Sequence, residues 1–136
     1  MTVEEAEEAA GMRLIGELDP AVSADCYFVV PEFGLDGVAF MVLQDLIARV
    51  DISPPSRVAT RSGAQIGSTE QALQDLFGDQ LVDGSEFVID GPALVFVPVD
   101  EIDAEYRVVF ELDDSRVVTA YRAGRLPGVG FAEGCV

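Results

Sequence analysis

Acidic side chains gather at two places in the chain where oxygen ligands or paired carboxylates can do chemistry. The two groups are Asp79, Asp83 and Glu86, and then Asp100, Glu101, Asp103 and Glu105. Oxygen ligands at such spacing can hold calcium, and two carboxylates at a fixed separation can hydrolyse a glycosidic bond. Neither group matches an EF-hand loop, and runs of charge in loops are usually solvated. We therefore interpret both groups as exposed acidic loops and predict no metal, no cofactor and no catalytic residue.

Other catalytic chemistries lack the residues that they need. The chain has no histidine, which excludes a Ser-His-Asp triad, a Cys-His pair and a His-ligated zinc site. The segment Gly128-Val129-Gly130 lacks the third glycine and the following helix of a dinucleotide-binding loop. The sequence therefore favours a protein that is not an enzyme. A carboxylate-based hydrolase stays open as a second alternative.

The two cysteines of the chain, Cys26 and Cys135, lie far apart in sequence. A bond between them would close a loop across most of the chain and stabilise the fold by about 4–5 kcal/mol in the chain-entropy model. The alternative is a pair of buried free thiols, because Cys26 alternates with Phe28 and Val30 as a small core residue would. We favour the disulfide, which predicts an exported protein.

Tyrosine and arginine side chains are the best candidates for contacts with a partner, because they supply rigid contact area and forked donors. Four of them fall in predicted strands: Tyr27, Arg107, Tyr121 and Arg122. Tyr121 shares its alternation with Val117 and Thr119, so burial in the core is an alternative for it. Arg107 and Arg122 are expected to be exposed.

An internal repeat organises these candidates. Residues 2–11 recur without a gap at residues 69–78, residues 39–45 align with residues 109–115, and residues 47–50 align with residues 117–120. The repeat predicts an α+β fold in which two helix-plus-antiparallel-meander units share one core. The first repeat spans residues 1–62 and the second spans residues 63–136, together forming one globular domain. Met1 stands where the second repeat has Ser68, so we expect the first repeat to be truncated at its N-terminus.

Caps and periodicity define the elements of each repeat. Thr2 with Glu5, and Ser68 with Gln71, have the spacing of a capping box before a helix. Gly11 and Gly78 are expected to end these helices in the left-handed conformation. The segments rich in Val, Phe, Tyr and Ile predict strands at residues 25–30, 38–43, 47–52, 86–89, 94–99, 106–112 and 116–123. The prolines of residues 53–56 mark the joint between the repeats.

The charge of the chain limits its partners. Its 25 acidic residues against 8 basic ones give a formal net charge of −17. Such a field repels nucleic acid and anionic lipid, and it can steer a cationic protein towards the surface. Solubility in salty surroundings is the alternative explanation. No apolar run approaches the roughly 20 residues that cross a bilayer, so this segment is not expected to insert into a membrane.

The repeat units also resemble a known family. Each helix is entered through a threonine, ends at a glycine and is followed by a meander, which is similar to the tandem-repeat fold of beta-lactamase inhibitor proteins and to the single-unit BamE or SmpA envelope lipoproteins. The closing stretch of residues 121–127, with Glu133-Gly134-Cys135, resembles the C-terminus of uncharacterised secreted bacterial proteins of this fold. The resemblance implies a secreted or envelope-tethered protein.

The functional expectation combines these observations. The sequence favours a non-enzymatic, extracytoplasmic protein-binding module, with an inhibitor of a hydrolase such as a beta-lactamase as the alternative. A binding module of this kind predicts an exposed apolar or aromatic patch on one sheet face. If Met1 is the true start of the protein, a cytoplasmic location is expected instead.

Overall fold

The structure, a computed structural model, describes residues 1–17 and 25–135. Within these residues the chain forms two α-helices and eight strands, with four short 3-10 turns between them. The helices are α1 (Val3–Ala10) and α2 (Glu70–Phe77). The strands are β1 (Leu14–Glu17), β2 (Cys26–Pro31), β3 (Val38–Leu43), β4 (Leu46–Ile52), β5 (Leu81–Asp83), β6 (Ala93–Phe96), β7 (Tyr106–Leu112) and β8 (Val118–Arg125).

Side-chain caps begin both helices. The hydroxyl of Thr2 accepts a hydrogen bond from the Glu5 N–H at 3.2 Å, and Gly11 ends α1 in the left-handed conformation, as predicted. The predicted Ser68 cap is wrong. Thr69 caps α2 through the Ala72 N–H at 3.1 Å, because the Ser68 hydroxyl accepts from Gln65 and its carbonyl accepts from Val118.

The end of α2 also differs from the prediction. Gly78 has φ 55° but ψ −130°, which lies outside the left-handed helical region. A 3-10 turn, Gly78–Gln80, follows at once and leads the chain into β5.

All eight strands belong to one antiparallel sheet with the order β1-β2-β3-β4-β8-β7-β6-β5. Strands β1–β4 form one meander and strands β5–β8 form another. The two meanders meet where β4 pairs with β8, from Arg49 opposite Gly124 to Ile52 opposite Tyr121. We call this pairing the seam. It makes the protein an α+β fold built on a single sheet.

Residues from both meanders share the main core, on what we call the helix face of the sheet. Leu73 of α2 packs there in one cluster with Ile52 of β4 and Phe110 of β7. A smaller cluster lies on the opposite face, where Val129 packs against Val95 and Val109. Val129 belongs to the C-terminal strap, which we define as residues 126–135, and this opposite side is therefore called the strap face.

Three local predictions about strands fail. Residues 86–89 do not form a strand, because a 3-10 turn at Ser85–Phe87 bends the chain so that Phe87 packs against the strap-face core. The short strands β1 and β5 were not predicted, since four and three residues carry little alternation. The predicted strand 94–99 ends at Phe96.

The predicted disulfide is present. Cys26 at the start of β2 and Cys135 in the strap are bonded, with Cα atoms 5.5 Å apart and a sequence separation of 109. Disulfides persist in oxidising compartments, so the bond fits an extracytoplasmic protein. Among residues 1–17 and 25–135, no helix is both long and apolar enough to span a bilayer.

Candidate functional site

The structure does not bring the four predicted contact residues together on one surface. Alternation along the strands places Tyr27 and Tyr121 on the helix face, whereas Arg107 and Arg122 lie on the strap face. Tyr27 and Arg107 are half-buried. Tyr121 is buried, and its hydroxyl donates a hydrogen bond to the Val58 carbonyl at 2.7 Å. Burial raises the pKa of the Tyr121 phenol above its ordinary value.

The expectation that Arg122 is exposed is wrong. Only 5% of the residue is exposed, and the guanidinium donates to the backbone carbonyls of Val129 and Phe87. Burial is the main cause that lowers the pKa of Arg122, and the positive charge of Arg49 acts in the same direction, while Glu111 and Asp51 oppose it. Arg122 thus binds two segments that cover the strap face and is not available to a partner.

A second buried arginine, Arg49, has a similar role and was not predicted. Its guanidinium donates to the carbonyls of Gly128 and Phe131 in the strap and to the carboxylate of Asp51. Its Nε atom lies 2.7 Å from Asp51 Oδ1 as an ion pair, without the alignment of a hydrogen bond. The ring of Phe28 lies 5.6 Å from the guanidinium carbon. Arg49 and Arg122 together hold the strap on the sheet.

The two acidic groups, which lie within residues 79–86 and residues 100–105, are exposed in the structure. All seven of their carboxylates lie at the surface. A general acid for glycoside hydrolysis needs an apolar environment around its carboxyl group, and these carboxylates lie in solvent. Within the described part of the chain, no group of three or more His, Cys, Asp or Glu side chains could hold a metal ion.

An apolar groove crosses the seam on the helix face. Its floor is a row of register partners on four adjacent strands: Phe40 on β3, Val50 on β4, Ala123 on β8 and Val108 on β7. All four side chains are partly buried, and Phe40, Val50 and Val108 pack against the main core. The groove widens into two depressions. One, of about 390 Å³, includes the whole floor and is walled by Leu35 and Val58. The other, of about 320 Å³, includes the floor except Val108 and is walled by Met1, Leu46 and Tyr106. We call this feature the seam groove.

The neighbouring row of the same sheet face is buried. It consists of Val38, Ile52, Tyr121 and Phe110, each at most 6% exposed. Helix α2 packs over this side of the sheet, and its Phe77 ring lies 5.9 Å from the Phe110 ring. One sheet face therefore carries a covered apolar row and an open one, two residues apart along each strand.

The two helices differ in the size of their apolar side chains. Helix α2 buries Leu73 and half-buries Phe77. Helix α1 buries none of its residues, and its apolar positions are occupied by Val3, Ala6 and Ala10. Alanine side chains cover less apolar surface than leucine or phenylalanine. The small residues of α1 therefore give this helix less apolar surface to bury than α2 has.

An acidic loop stands beside the Tyr106 end of the seam groove. This loop, residues 98–105, holds Ile102 and Val99 almost fully in solvent, at 87% and 83% exposure. Its base is fixed, because Arg107 donates to the carbonyls of Ala104 and Tyr106 at 2.8 and 2.7 Å. Between the loop and the sheet lies a cleft of about 710 Å³.

Comparison with known proteins identifies no relative. No protein-family model matches the chain, and neither a curated protein nor a solved structure is significantly similar to it. Evidence for the roles of the seam groove and the acidic loop therefore comes from their own geometry.

Sequence reasoning assigned the groove residues to strands without recognising a site. A sequence signal related to them lies in the alignment of residues 2–11 with residues 69–78, where Ala6 and Ala10 stand opposite Leu73 and Phe77. The binding hypothesis predicts an exposed apolar patch on one sheet face, and the seam groove is the candidate for it. Arg49 gave no comparable signal, because a single arginine in a strand is usually exposed.

Proposed function

We propose that the chain is a non-enzymatic, extracytoplasmic protein-binding module that holds an apolar segment of a partner protein in the seam groove. The observation that carries the proposal is the row Phe40, Val50, Ala123 and Val108, which is partly exposed while the neighbouring row is buried. A contiguous apolar surface of this kind on a charged protein is typical of an interaction site. The disulfide supports a secreted or envelope-tethered location.

The partner that fits this surface is a cationic protein. A net charge of −17 attracts positive partners and speeds their encounter, and it opposes the approach of a second copy of the same chain. We therefore favour a different protein over self-association as the occupant of the groove.

We also infer that the two meanders are repeats of one unit. Two irregularities recur in both halves and support this inference. The register shifts between Met41 and Val42 in β3, and it shifts between Glu111 and Leu112 in β7, at aligned positions. The carbonyl that precedes each helix cap accepts from the start of a strand: Met1 accepts from Ile47, and Ser68 accepts from Val118.

The repeat boundaries of residues 1–62 and 63–136 fit this scheme, with one adjustment of register. Val42 pairs with Ile47, and Leu112 pairs with Val118. Ile47 therefore aligns with Val118 and not with Val117, because the second hairpin connection is one residue longer.

We propose, on the same grounds, that the chain resembles tandem-repeat beta-lactamase inhibitor proteins. A helix followed by a four-strand meander, twice in one sheet, is the observation in its favour. An inhibitor of a hydrolase is accordingly the alternative function, and it would use the same surface. Inhibition of beta-lactamase turnover at nanomolar concentrations of the protein would establish this alternative.

The proposed function is tested by selecting short peptides from a displayed random library against the disulfide-bonded protein. We expect recovered peptides to carry large apolar side chains and to bind in fluorescence anisotropy. Ala123→Phe places a ring in the groove and is expected to weaken this binding at least about tenfold. Thr119→Phe, an exposed position of the same strand outside the groove, is the matched control.

Thermal unfolding of both variants verifies that they fold. Two results would contradict the proposal: no peptide is recovered, or the recovered peptides bind Ala123→Phe as tightly as they bind the unchanged protein.

A further inference from the structure

The cleft under the acidic loop combines the groups that recognise a guanidinium. Phe96 and Tyr106 supply aromatic walls, Val99 supplies an apolar side chain, and Asp100 and Asp103 place carboxylates at its rim. An arginine side chain can stack its plane on an aromatic ring while its forked N–H groups bond to carboxylates. The cleft therefore has both kinds of group that bind an arginine side chain.

Tyr106 already interacts with a cation in this way. The guanidinium carbon of Arg125 lies 6.0 Å from the centroid of its ring, and Arg125 is also paired with Glu105 at 3.1 Å. This pair lies next to the cleft and does not line it. The neighbourhood of Tyr106 thus holds one guanidinium of the chain itself and offers a further aromatic and acidic site beside it.

The cleft adjoins the seam groove at Tyr106. Tyr106 lines both, so a partner segment in the groove passes the mouth of the cleft. Ile102 and Val99 project from the loop into solvent at the same place. Burying two such aliphatic side chains against a partner is favourable, since their present exposure is costly. The acidic loop is also fixed at its base, so little conformational entropy is lost on binding.

The charge near the cleft favours a cation. Asp100 and Asp103 line it and Glu101 lies between them, whereas Arg61 is the basic residue on its wall. Among the residues that line the cleft, one positive charge therefore stands against two negative ones, and the resulting negative potential attracts a further cation.

From these observations we propose that the cleft between the acidic loop and β7 is the specificity subsite of the binding surface, and that it takes an arginine side chain of the partner protein. This inference rests on the proposed function, since it places the arginine next to the apolar segment in the seam groove. It names the chemistry of the partner: a basic, arginine-containing segment with adjacent large apolar residues.

The test uses an arginine-containing peptide recovered from the selection and the same peptide with citrulline in place of arginine. Citrulline keeps the shape of the side chain but removes its charge. We expect the intact, disulfide-bonded protein to bind the arginine peptide about tenfold more tightly. The double variant Asp100→Asn with Asp103→Asn should lose this preference. The double variant Asp79→Asn with Glu86→Gln changes two exposed carboxylates elsewhere and should keep it.

One further peptide and one further variant test the same subsite. A lysine peptide should bind more weakly than the arginine peptide, because an ammonium group has no plane to stack. Arg61→Gln removes the positive charge of the cleft wall and should tighten binding of the arginine peptide severalfold, by about 2- to 5-fold. Weaker binding to Arg61→Gln would overturn the proposal, since it would indicate an anion site.

Failure of this inference can be told apart from failure of the proposed function. Groove-dependent peptides that lack arginine, or an arginine preference that survives in the Asp100 and Asp103 double variant, would overturn the subsite alone. Binding that is insensitive to Ala123→Phe would instead contradict the proposed function.

Discussion

Asp51 of β4 and Arg122 of β8 are register partners across the seam, yet each side chain makes its close contacts elsewhere. The carboxylate of Asp51 pairs with Arg49, and the guanidinium of Arg122 donates to the carbonyls of Val129 and Phe87. If the two meanders are repeats in the register of Ile47 and Val118, these two positions are equivalent and lie at the local two-fold axis. Opposite charges at this position favour pairing of β4 with β8 over pairing of either strand with a second copy of itself.

Replacing Arg122 should destabilise the fold strongly. In Arg122→Met the apolar volume is kept, but two buried carbonyls lose their donor, and each unsatisfied group costs about 1–3 kcal/mol. We expect a loss of about 2–4 kcal/mol in the free energy of unfolding, measured by urea denaturation. Arg125→Met is the matched control, since its exposed ion pair contributes about 0–1 kcal/mol. Similar losses in the two variants would contradict a structural role specific to Arg122.

Removing the disulfide should also destabilise the protein. The double variant Cys26→Ala with Cys135→Ala releases the strap from β2 and restores the entropy of a long loop to the unfolded chain. We expect a loss of about 2–5 kcal/mol, measured as a lower urea midpoint. A reductant should shift the unchanged protein in the same direction and leave the double variant unaffected. A reductant effect on the double variant would show that the loss has another origin.

Gly124 should be intolerant of any side chain. It faces Arg49 across the seam, and an added Cβ would lie 2.5 Å from the Cβ of Arg49 and closer still to the carbonyl oxygen of Ala48. Gly124→Ala must therefore push β4 and β8 apart, at a cost of about 1–3 kcal/mol in thermal or urea unfolding. Gly16→Ala on β1 is the control, because its added Cβ would approach Val29 only to 4.0 Å. Equal stability of the two variants would refute the close approach at the seam.

Tyr121 should make the protein less stable in alkali. Its pKa is raised by burial, so the folded state favours the neutral phenol. The resulting stabilisation is complete below the unfolded pKa of about 10 and is lost as the pH rises through the higher folded value. Thermal unfolding between about pH 9 and pH 11 should show a decline that is smaller in Tyr121→Phe.

Tyr106→Phe provides the comparison for this pH dependence. Tyr106 is 45% exposed, so the variant retains the buried phenol of Tyr121 and should retain the alkaline decline. An equal decline in Tyr121→Phe and in the unchanged protein would contradict the role of Tyr121.

Local chemistry made several features of this protein predictable. Thr2 and Gly11 are recognisable ends of a helix because caps depend on residues within one turn. The strands β2, β3, β4, β7 and β8 follow from runs of β-branched and aromatic residues. The pairing of Cys26 with Cys135 follows from there being two cysteines and from the favoured oxidised state.

Burial and function of the candidate site were not predictable in the same way. Alternation assigns Arg122 to a face of β8 but does not say that the C-terminal strap covers that face. The seam groove depends on Phe40, Val50, Ala123 and Val108, which come from four strands and meet only when β4 pairs with β8.

The amino-acid sequence by itself determined the α+β class, the two ends of α1, most strands and the acidic surface, because each depends on neighbours along the chain. Only the tertiary structure decided the seam, the buried arginines and the groove. Strand pairing joins residues that are distant in sequence, and the same alternating pattern is compatible with several partners and coverings. Packing of Leu73 and Phe77 of α2 against the sheet then places Phe110 and its neighbours in the core.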